Sequence, residues 1–279
     1  METKNGIGKI LNLGSSSSGN IYYVELIEES REKPFVLVIE AGFSYNEILR
    51  RLTKERIDIN TVNAFLISHE HNDHSMGGRE LASRGFKIYA PYTIEYATKT
   101  IVENQWTYLD KNIKVLGIPL VHQDKGKDIY NLGYIISIAN EFNMLYIIDT
   151  RYIPQDLSNY KFDVIFIEAN YLEDKVMWAL RDAKRRQNKG GIARYTRLVN
   201  SHMSLENLAR TFDGTLTEET KPFDLSKTKL IFLTHLSSGA LTNEAYYKIF
   251  LTEYLKQTKK KTKFNDAKIV VCKKDGGFL

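Results

Sequence analysis

The sequence predicts an α/β fold built in layers, and two observations support this prediction. Apolar segments of strand length recur along the 279 residues, and several of them lead directly to a polar side chain, namely His122, Asp149, Glu168 or His235. Side chains at strand ends converge on one edge of a layered α/β fold, which is where such folds place functional groups. We therefore predict one domain over residues 1–279 in which an αβ/βα arrangement is duplicated.

The first half of the chain is expected to be mainly strands separated by glycine and serine. Strands are predicted at residues 9–13, 21–26, 35–39, 63–67 and 87–90. Residues 45–52 have helical spacing, because Ile48, Leu49 and Leu52 share one face and charged residues occupy the other. The strand at 63–67 leads directly into a histidine-rich segment.

The second half repeats the pattern of strands followed by polar residues. Strands are predicted at residues 113–120, 132–138, 144–148, 164–167 and 230–234. Between the last two, residues from about 171 to 211 are expected to be mostly helical and strongly basic. No low-complexity linker interrupts the chain, which favours a single domain.

The composition is that of an ordinary globular protein. Hydrophobic residues make up 43% of the chain and charged residues 26%. No segment is as long and apolar as a membrane span, and the first residues lack the apolar stretch of a secretory signal. The single cysteine, Cys272, cannot form an internal disulfide, which fits a reducing compartment. We expect a cytoplasmic protein with no membrane partner.

The net charge of +5 is compatible with a polyanionic partner but does not require one. Basic residues cluster in two places, a first cluster within residues 184–197 and a second at residues 256–263. The first cluster contains Lys184, Arg185, Arg186, Lys189, Arg194 and Arg197. Each cluster is also consistent with a solvated surface.

Three of the six histidines lie in residues 68–74, Ser-His-Glu-His-Asn-Asp-His. His69 and His71 point to the same side of an extended segment, and Asp73 and His74 follow where a turn can direct them to a neighbouring position. Two ligand pairs on one loop predict two metal ions, at the ~3.5–4 Å separation of binuclear hydrolases. Nitrogen and carboxylate ligands without cysteine suit zinc, and also manganese or iron.

Residues 69–74 resemble the His-x-His-x-Asp-His signature of the metallo-β-lactamase superfamily, whose fold is an αββα sandwich. Further segments resemble successive motifs of its YycJ/WalJ-type exonuclease group, and the later ones are also similar to motifs of RNase Z enzymes. These segments are residues 13–20, 39–42, 148–150, 168–171, 202–204 and 234–237. The resemblance covers most of the chain in the right order.

Carried over position by position, the resemblance assigns a complete set of metal ligands. The first ion would be held by His69, His71 and His122, and the second by Asp73, His74 and His235, with Asp149 bridging both. Glu40 stands where the superfamily generally has aspartate, a position that orients the metal-binding loop. Glutamate keeps the charge but is one methylene longer, so its hydrogen bonding is expected to differ.

The resemblance also implies a chemistry. It implies a binuclear metal-dependent phosphodiesterase that uses a metal-bridging hydroxide. The enzyme would be a nuclease of DNA-exonuclease type, with nucleic acid as its substrate and DNA favoured over RNA. Asp73 would orient the hydroxide, and His202, helped by Glu168, would protonate the leaving sugar oxygen. Ser204 is a predicted helix cap immediately beyond. The basic residues of 184–197 would guide the nucleic-acid backbone.

Other functions stay open at this point. The same metal site could serve a small-molecule phosphodiesterase, for example one acting on a cyclic nucleotide, and a binding module with a purely structural metal is a third possibility. Residues 14–20 are either a phosphate-binding turn or an ordinary turn between two strands. The sequence is compatible with a homo-oligomer.

Overall fold

The computed structural model describes residues 5–237 and 243–278, which divide into two compact units. The first unit contains residues up to 118 together with 132–146 and the segment from 272 onward. The second contains residues 119–131 and 147–271.

The described residues contain runs of strands separated by groups of helices, and the longest of these runs lies within residues 88–168. The strands are β1 (Gly6–Ser16), β2 (Gly19–Ile27), β3 (Phe35–Ile39), β4 (Ala64–Leu66), β5 (Ile88–Ala90), β6 (Lys99–Thr100), β7 (Trp106–Tyr108), β8 (Ile113–Asp124), β9 (Lys127–Ile138), β10 (Phe142–Ile147), β11 (Val164–Glu168), β12 (Leu230–Thr234), β13 (Lys268–Val271) and β14 (Gly277–Phe278). The helices are α1 (Tyr45–Lys54), α2 (Asn72–Ser75), α3 (Gly78–Ser83), α4 (Glu173–Arg185), α5 (Lys189–Ser201), α6 (Leu205–Asp213), α7 (Glu244–Gln257) and α8 (Lys259–Thr262), with a 3-10 turn at Ile59–Thr61. No helix in this part of the chain is long and apolar enough to cross a membrane.

In the first unit, seven strands form a sheet in the order β14-β1-β2-β3-β4-β5-β6. Strands β1 to β3 pair antiparallel, and β3 to β6 pair parallel. Helix α1 begins at the cap Ser44, whose side chain accepts a hydrogen bond from the Glu47 backbone N–H, and it buries Ile48 and Leu52 in the core beside the sheet. The parallel pairing sends the ends of β3 and β4 to the same edge, where the histidine-rich loop begins.

Strands β7 to β10 are neighbours in that order, and β8 and β9 are longer than the sequence predicts. The turn between β8 and β9 consists of Lys125 and Gly126, whose φ values are +50° and +76°. Two consecutive residues with positive φ make the tight hairpin turn whose twist matches that of the flanking strands. Both strands therefore continue to the turn, and β8 runs to Asp124 rather than ending at residue 120.

The second unit contains the parallel strands β11-β12-β13. Phe166 on β11 stacks on Phe232 on β12 with ring centroids 4.4 Å apart. Glu168 pairs in register with Thr234, so the side chains that follow these two strands emerge side by side. Helices α4, α5 and α6 occupy most of the predicted helical segment, and Val176 of α4 packs against Leu198 of α5.

Candidate metal centre

The predicted site residues lie in both units, and those of the first unit are in the loop after β4. His69 and His74 are buried, while His71 and Asp73 are partly exposed. The ring centroids of His69 and His71 are 4.7 Å apart, and those of His69 and His74 are 4.3 Å apart. Extended backbone up to His71 and the single turn of α2 after it bring the three imidazoles together, as the spacing predicts.

This loop is held by close backbone contacts and by the side chain of Asn20. The Ala41 N–H donates to the carbonyl of His74 at 2.8 Å. A Cβ added at Gly42 would lie 1.9 Å from the carbonyl oxygen of Asp73, so only glycine allows this approach. Asn20 Nδ2 donates to the same carbonyl at 3.2 Å and lies 3.4 Å from His74 Nε2. The Ala-Gly pair of the sequence motif therefore serves to seat the metal-binding loop.

Glu40 uses its extra methylene to reach three groups around the loop. Its carboxylate is fully buried, and Oε2 accepts a hydrogen bond from the Ser68 N–H at 3.2 Å. Oε1 accepts one from the Tyr146 hydroxyl at 3.0 Å and lies 3.5 Å from His74 Nδ1. Tyr146 was not singled out in the sequence, because a tyrosine inside an apolar strand carries no signal of such a contact. The carboxylate thus links the start of the loop to its last histidine.

The group in the second unit contains Asp149, Glu168, His202 and His235. One nitrogen or oxygen atom from each of the four lies within 4.8 Å of the others, and all four residues are buried. His235 Nδ1 is 2.9 Å from Asp149 Oδ1 and 3.1 Å from Glu168 Oε1. His202 Nδ1 is 2.7 Å from Glu168 Oε1. The parallel strand ends therefore converge as predicted.

Three of the site residues adopt left-handed backbone conformations at strand ends. The φ values are +66° for Glu40, +49° for Asp149 and +54° for His235. Each residue immediately or almost immediately follows a strand, β3, β10 or β12. Such conformations are unfavourable for residues other than glycine, and they are concentrated at functional sites where surrounding contacts hold them. The turn aims each side chain out of the plane of its strand.

Both oxygens of the buried Glu168 carboxylate accept hydrogen bonds or contact imidazoles. Burial alone would raise the pKa of its carboxyl, but the charge and hydrogen bond of His202, together with a hydrogen bond from His235, hold the pKa below its usual range. Its other oxygen accepts hydrogen bonds from the backbone N–H groups of Thr150 and Met203. Glu168 is therefore a fixed anion beside two imidazoles.

His202 lies between two helices. It is the residue after α5, and Ser204 caps α6 by accepting a hydrogen bond from the Asn207 N–H at 3.0 Å, which confirms the predicted helix start. Because the Glu168 carboxylate lies at Nδ1, the second ring nitrogen, Nε2, is the atom that can exchange a proton with a ligand.

His122 lies inside β8 and not at the end of a strand as predicted. Its Nε2 is 3.8 Å from Asp149 Oδ2, and its Nδ1 is 3.3 Å from the carbonyl oxygen of Ser201. The ring is buried, with its centroid 5.9 Å from that of His202. The prediction failed because the Lys125-Gly126 hairpin extends the strand past His122.

Two asparagines hold the backbone of predicted site residues in place. The sequence analysis did not name either of them as a site residue. Asn170 Nδ2 donates to the carbonyl of His235 at 2.6 Å, which fixes the turn after β12. Asn131 Nδ2 donates to the carbonyls of Ile148 and Asp149 at 2.9 and 2.7 Å. The motif at 168–171 contains Asn170 and could have indicated its role in the site. No motif in the sequence indicated a role for Asn131.

The serine-rich segment 14–20 contains the end of β1, the turn at residues 17 and 18, and the start of β2. Ser15 and Ser16 are buried, and Ser15 Oγ lies 2.7 Å from the Tyr22 hydroxyl. Asn20 Oδ1 accepts from the Ser16 N–H. Ser17 and Ser18 at the tip are exposed. The buried serines are engaged within the fold, and the segment's contribution to the site is Asn20.

The donor atoms fit divalent metal ions. Imidazole nitrogens and carboxylate oxygens are the ligands that zinc and manganese accept in proteins. In the second unit two buried carboxylates, Asp149 and Glu168, share a small volume with two imidazoles. Buried carboxylates in such proximity repel one another, and a bound cation offsets that repulsion.

The chain belongs to the beta-lactamase superfamily. The model of the family described as the beta-lactamase superfamily domain matches residues 36–223, which include most of the site. The α/β fold class and the αββα architecture expected from the sequence are those of this family, which confirms both.

Curated relatives match a smaller part of the chain. The exodeoxyribonuclease WalJ of Streptococcus pneumoniae serotype 2 is 38% identical over 79 residues, 28% of this chain. The matched stretch spans only about a quarter of that relative, 27% of its length. The WalJ of a second S. pneumoniae strain matches equally well.

Solved structures resemble the whole chain at low sequence identity. Unliganded yeast PDE1 has a TM-score of 0.61 at 12% identity and covers 97% of this chain and 99% of its own. Zn²⁺-bound PqqB from Methylobacterium extorquens has a TM-score of 0.57 at 13% identity, covering 98% and 100%. The short form of human tRNase Z (ELAC1) has a TM-score of 0.56 at 13% identity, covering 98% of each chain. These similarities establish the fold.

Proposed function

We propose that this protein is a binuclear metal-dependent phosphodiesterase that acts as a nuclease. The observation that carries the proposal is the buried cluster of Asp149, Glu168, His202 and His235, in which one nitrogen or oxygen atom of each residue lies within 4.8 Å of the others and the His202 imidazole contacts the Glu168 carboxylate at 2.7 Å. The identity to an exodeoxyribonuclease over 79 residues supports nucleic acid, DNA before RNA, as the substrate.

The proposed ligands follow the family signature. His69, His71 and His122 would hold one ion, and Asp73, His74 and His235 the other, with Asp149 shared. Zinc is the proposed metal and manganese the alternative, because both accept nitrogen and carboxylate ligands. Divalent ions bound there would make a nucleophile available near neutral pH by lowering the pKa of bound water.

His202 is proposed as the acid that protonates the leaving oxygen. Glu168 stabilises the protonated imidazole through the 2.7 Å contact at Nδ1, so the proton leaves from Nε2. Glu168 keeps this orientation because two backbone N–H groups fix its other oxygen. Asp73 is proposed to orient the attacking group as well as to ligate, since its partly exposed carboxylate lies 3.4 Å from His74 Nε2.

The test is a nuclease assay with 5′-labelled single- and double-stranded DNA and RNA, in the presence of zinc or manganese. The wild type is expected to shorten one or more of these substrates, and a His69→Ala/His71→Ala double variant to lose both activity and bound metal. A panel of cyclic nucleotides runs beside them. Turnover of a cyclic nucleotide without cleavage of any oligonucleotide would show that the protein is a small-molecule phosphodiesterase and not a nuclease. No turnover of any substrate would refute the proposal.

A further inference from the structure

The second unit contains a basic groove between helix α5 and the turn that joins β8 to β9. It has a volume of about 710 Å³. Four cationic side chains line it, Lys125 from the turn and Lys189, Arg194 and Arg197 from α5, and no acidic side chain does. Lys125 lies far in sequence from the other three, so the groove is a product of the fold rather than of one basic run.

The groove is formed by the face of α5 that points away from the core. Residues 189, 192, 193, 194, 196, 197, 200 and 201 line it, and most of them recur three or four positions apart, so they cover one broad side of the helix. On the opposite face Leu198 is buried against Val176. An exposed helix face that carries cations around Ile192 and Ala193 is suited to an elongated anion with apolar parts.

The cations of the groove are available to a ligand. Arg197 lies 3.6 Å from Asp124, an exposed pair of small energetic value. Within residues 5–237 and 243–278, Lys125, Lys189 and Arg194 form no ion pair. By contrast Arg185 and Arg186, from the same basic cluster of the sequence, both pair with Asp182 on α4 and do not line the groove.

One end of the groove adjoins the candidate site. Ser201 and Gln123 line it, and they are the immediate neighbours of His202 and His122. The Ser201 hydroxyl donates to the Gln123 carbonyl, and His122 Nδ1 lies 3.3 Å from the Ser201 carbonyl oxygen. A chain lying in the groove would therefore lead to the proposed acid.

We infer that this groove binds the phosphates of a single-stranded nucleic acid next to the bond that is cleaved. The inference rests on the proposed nuclease function and names its substrate subsite. Its volume, about 710 Å³, is that of a pocket for a ligand of modest size, so it fits a few nucleotides of one strand. No aromatic side chain lines the groove, so we expect it to contact the phosphates and not to stack on the bases.

The experiment measures binding rather than turnover. The anisotropy of a 5′-fluorescein-labelled single-stranded oligonucleotide is followed on metal-loaded protein over a series of salt concentrations, and the length of the oligonucleotide is checked afterwards. For single strands the logarithm of the affinity falls with the logarithm of salt with a slope of about −0.7 per neutralised phosphate. Lys189→Ala/Arg194→Ala is expected to reduce the slope by about 1.4 and to weaken binding about tenfold.

The matched control is Lys184→Ala/Arg185→Ala, which removes the same charge from the same sequence cluster outside the groove. It is expected to keep the wild-type slope. Equal slopes for all three proteins, equal losses in the two variants, or a wild type that binds a duplex more tightly than a single strand would each overturn the inference. A wild type that binds as expected but hydrolyses no phosphodiester would contradict the proposed function and leave the groove assignment standing. Thermal unfolding of both variants confirms that they are folded.

Discussion

His202 Nδ1 lies 2.7 Å from Glu168 Oε1, and Glu168 is itself fixed by the backbone N–H groups of Thr150 and Met203. A carboxylate held in this way controls which nitrogen of the imidazole carries the transferable proton. It also raises the question of whether His202 is an acid or a metal ligand, because Asp149 and His235 lie within the same 4.8 Å cluster.

The leaving group of the substrate distinguishes an acid from a ligand. For His202→Ala we expect kcat on an oligonucleotide to fall by ~10²–10⁴-fold, the usual contribution of a general acid, while bound metal is unchanged. The loss on bis(p-nitrophenyl) phosphate should be far smaller, because p-nitrophenolate leaves without protonation. Metal content by atomic emission is measured beside both rates. Equal losses on the two substrates, or loss of one metal ion, would make His202 a ligand.

Gly42 is predicted to be irreplaceable for steric reasons. A Cβ at this position would lie 1.9 Å from the Asp73 carbonyl oxygen, so Gly42→Ala must displace the histidine loop. Overpacking of this kind costs ~1–3 kcal/mol or more, and we expect reduced stability together with reduced metal content. The matched control is Gly190→Ala, where the nearest atom would be 3.6 Å away and helix propensity favours alanine. Both are compared by chemical denaturation and metal analysis; a Gly42→Ala protein with normal metal content would contradict the assignment.

Glu40 is predicted to set the metal affinity of the loop through His74. Glu40→Gln keeps the shape of the side chain but removes the negative charge 3.5 Å from His74 Nδ1, and it replaces one of the two oxygens that accept from Ser68 and Tyr146 with an NH2 group. Changes to groups that orient metal ligands typically weaken binding 10–100-fold. Competition with a chelator of known zinc affinity measures this. Unchanged affinity would show that neither the charge of Glu40 nor its second acceptor oxygen sets the metal affinity of the loop.

The ion pairs of α1 give a pH-dependent prediction. Hydrogen bonds from Arg50, and then from Arg51, lower the pKa of Glu47 to about 2. A carboxyl whose pKa is lower in the folded protein stabilises it above its unfolded pKa of 4.5, and this contribution is lost as the pH falls towards 2. Because the pairs are partly exposed, Glu47→Gln should lower the free energy of unfolding by only ~0.2–1 kcal/mol at pH 7.

The measurement is urea unfolding of wild type and Glu47→Gln at pH 7, 5 and 3. The difference between them should be constant from pH 7 to 5 and shrink at pH 3. Glu32→Gln is the control, since Glu32 has no ion pair in the part of the chain that is described. A difference that stays the same at pH 3 would show that the charge of Glu47 is not the source of its contribution.

The sequence predicted the strands well where a periodic apolar run determines the element. Residues 35–39 and 230–234 are strands with the predicted bounds. The helix predicted at 45–52 is two residues longer than predicted and ends at Lys54. The short edge strands β6, β7, β13 and β14 were missed, because two to four residues carry little periodicity. The prediction for β8 failed at one point, the Lys125-Gly126 turn, whose positive φ values continue the hairpin past His122.

The convergence of Glu168 and His235 was predictable, because parallel strands in register bring their ends together. The supporting contacts were not. Tyr146 reaches Glu40 across 106 positions of sequence, and Asn20 reaches the Asp73 carbonyl across 53. Contacts over such separations depend on the packing of sheets and loops, which local patterns do not encode. Whether the seven predicted ligands bind metal stays a prediction.

The left-handed conformations of Glu40, Asp149 and His235 have a consequence for the protein without its ions. Each conformation costs on the order of 1–3 kcal/mol, and ion binding would help to offset this by holding the side chains in place. The backbone amides around these three residues should therefore exchange with solvent deuterium fastest when chelator is present and slow down as metal is restored. Metal supply would then set how long the folded chain survives in the presence of proteases, independently of any catalytic turnover.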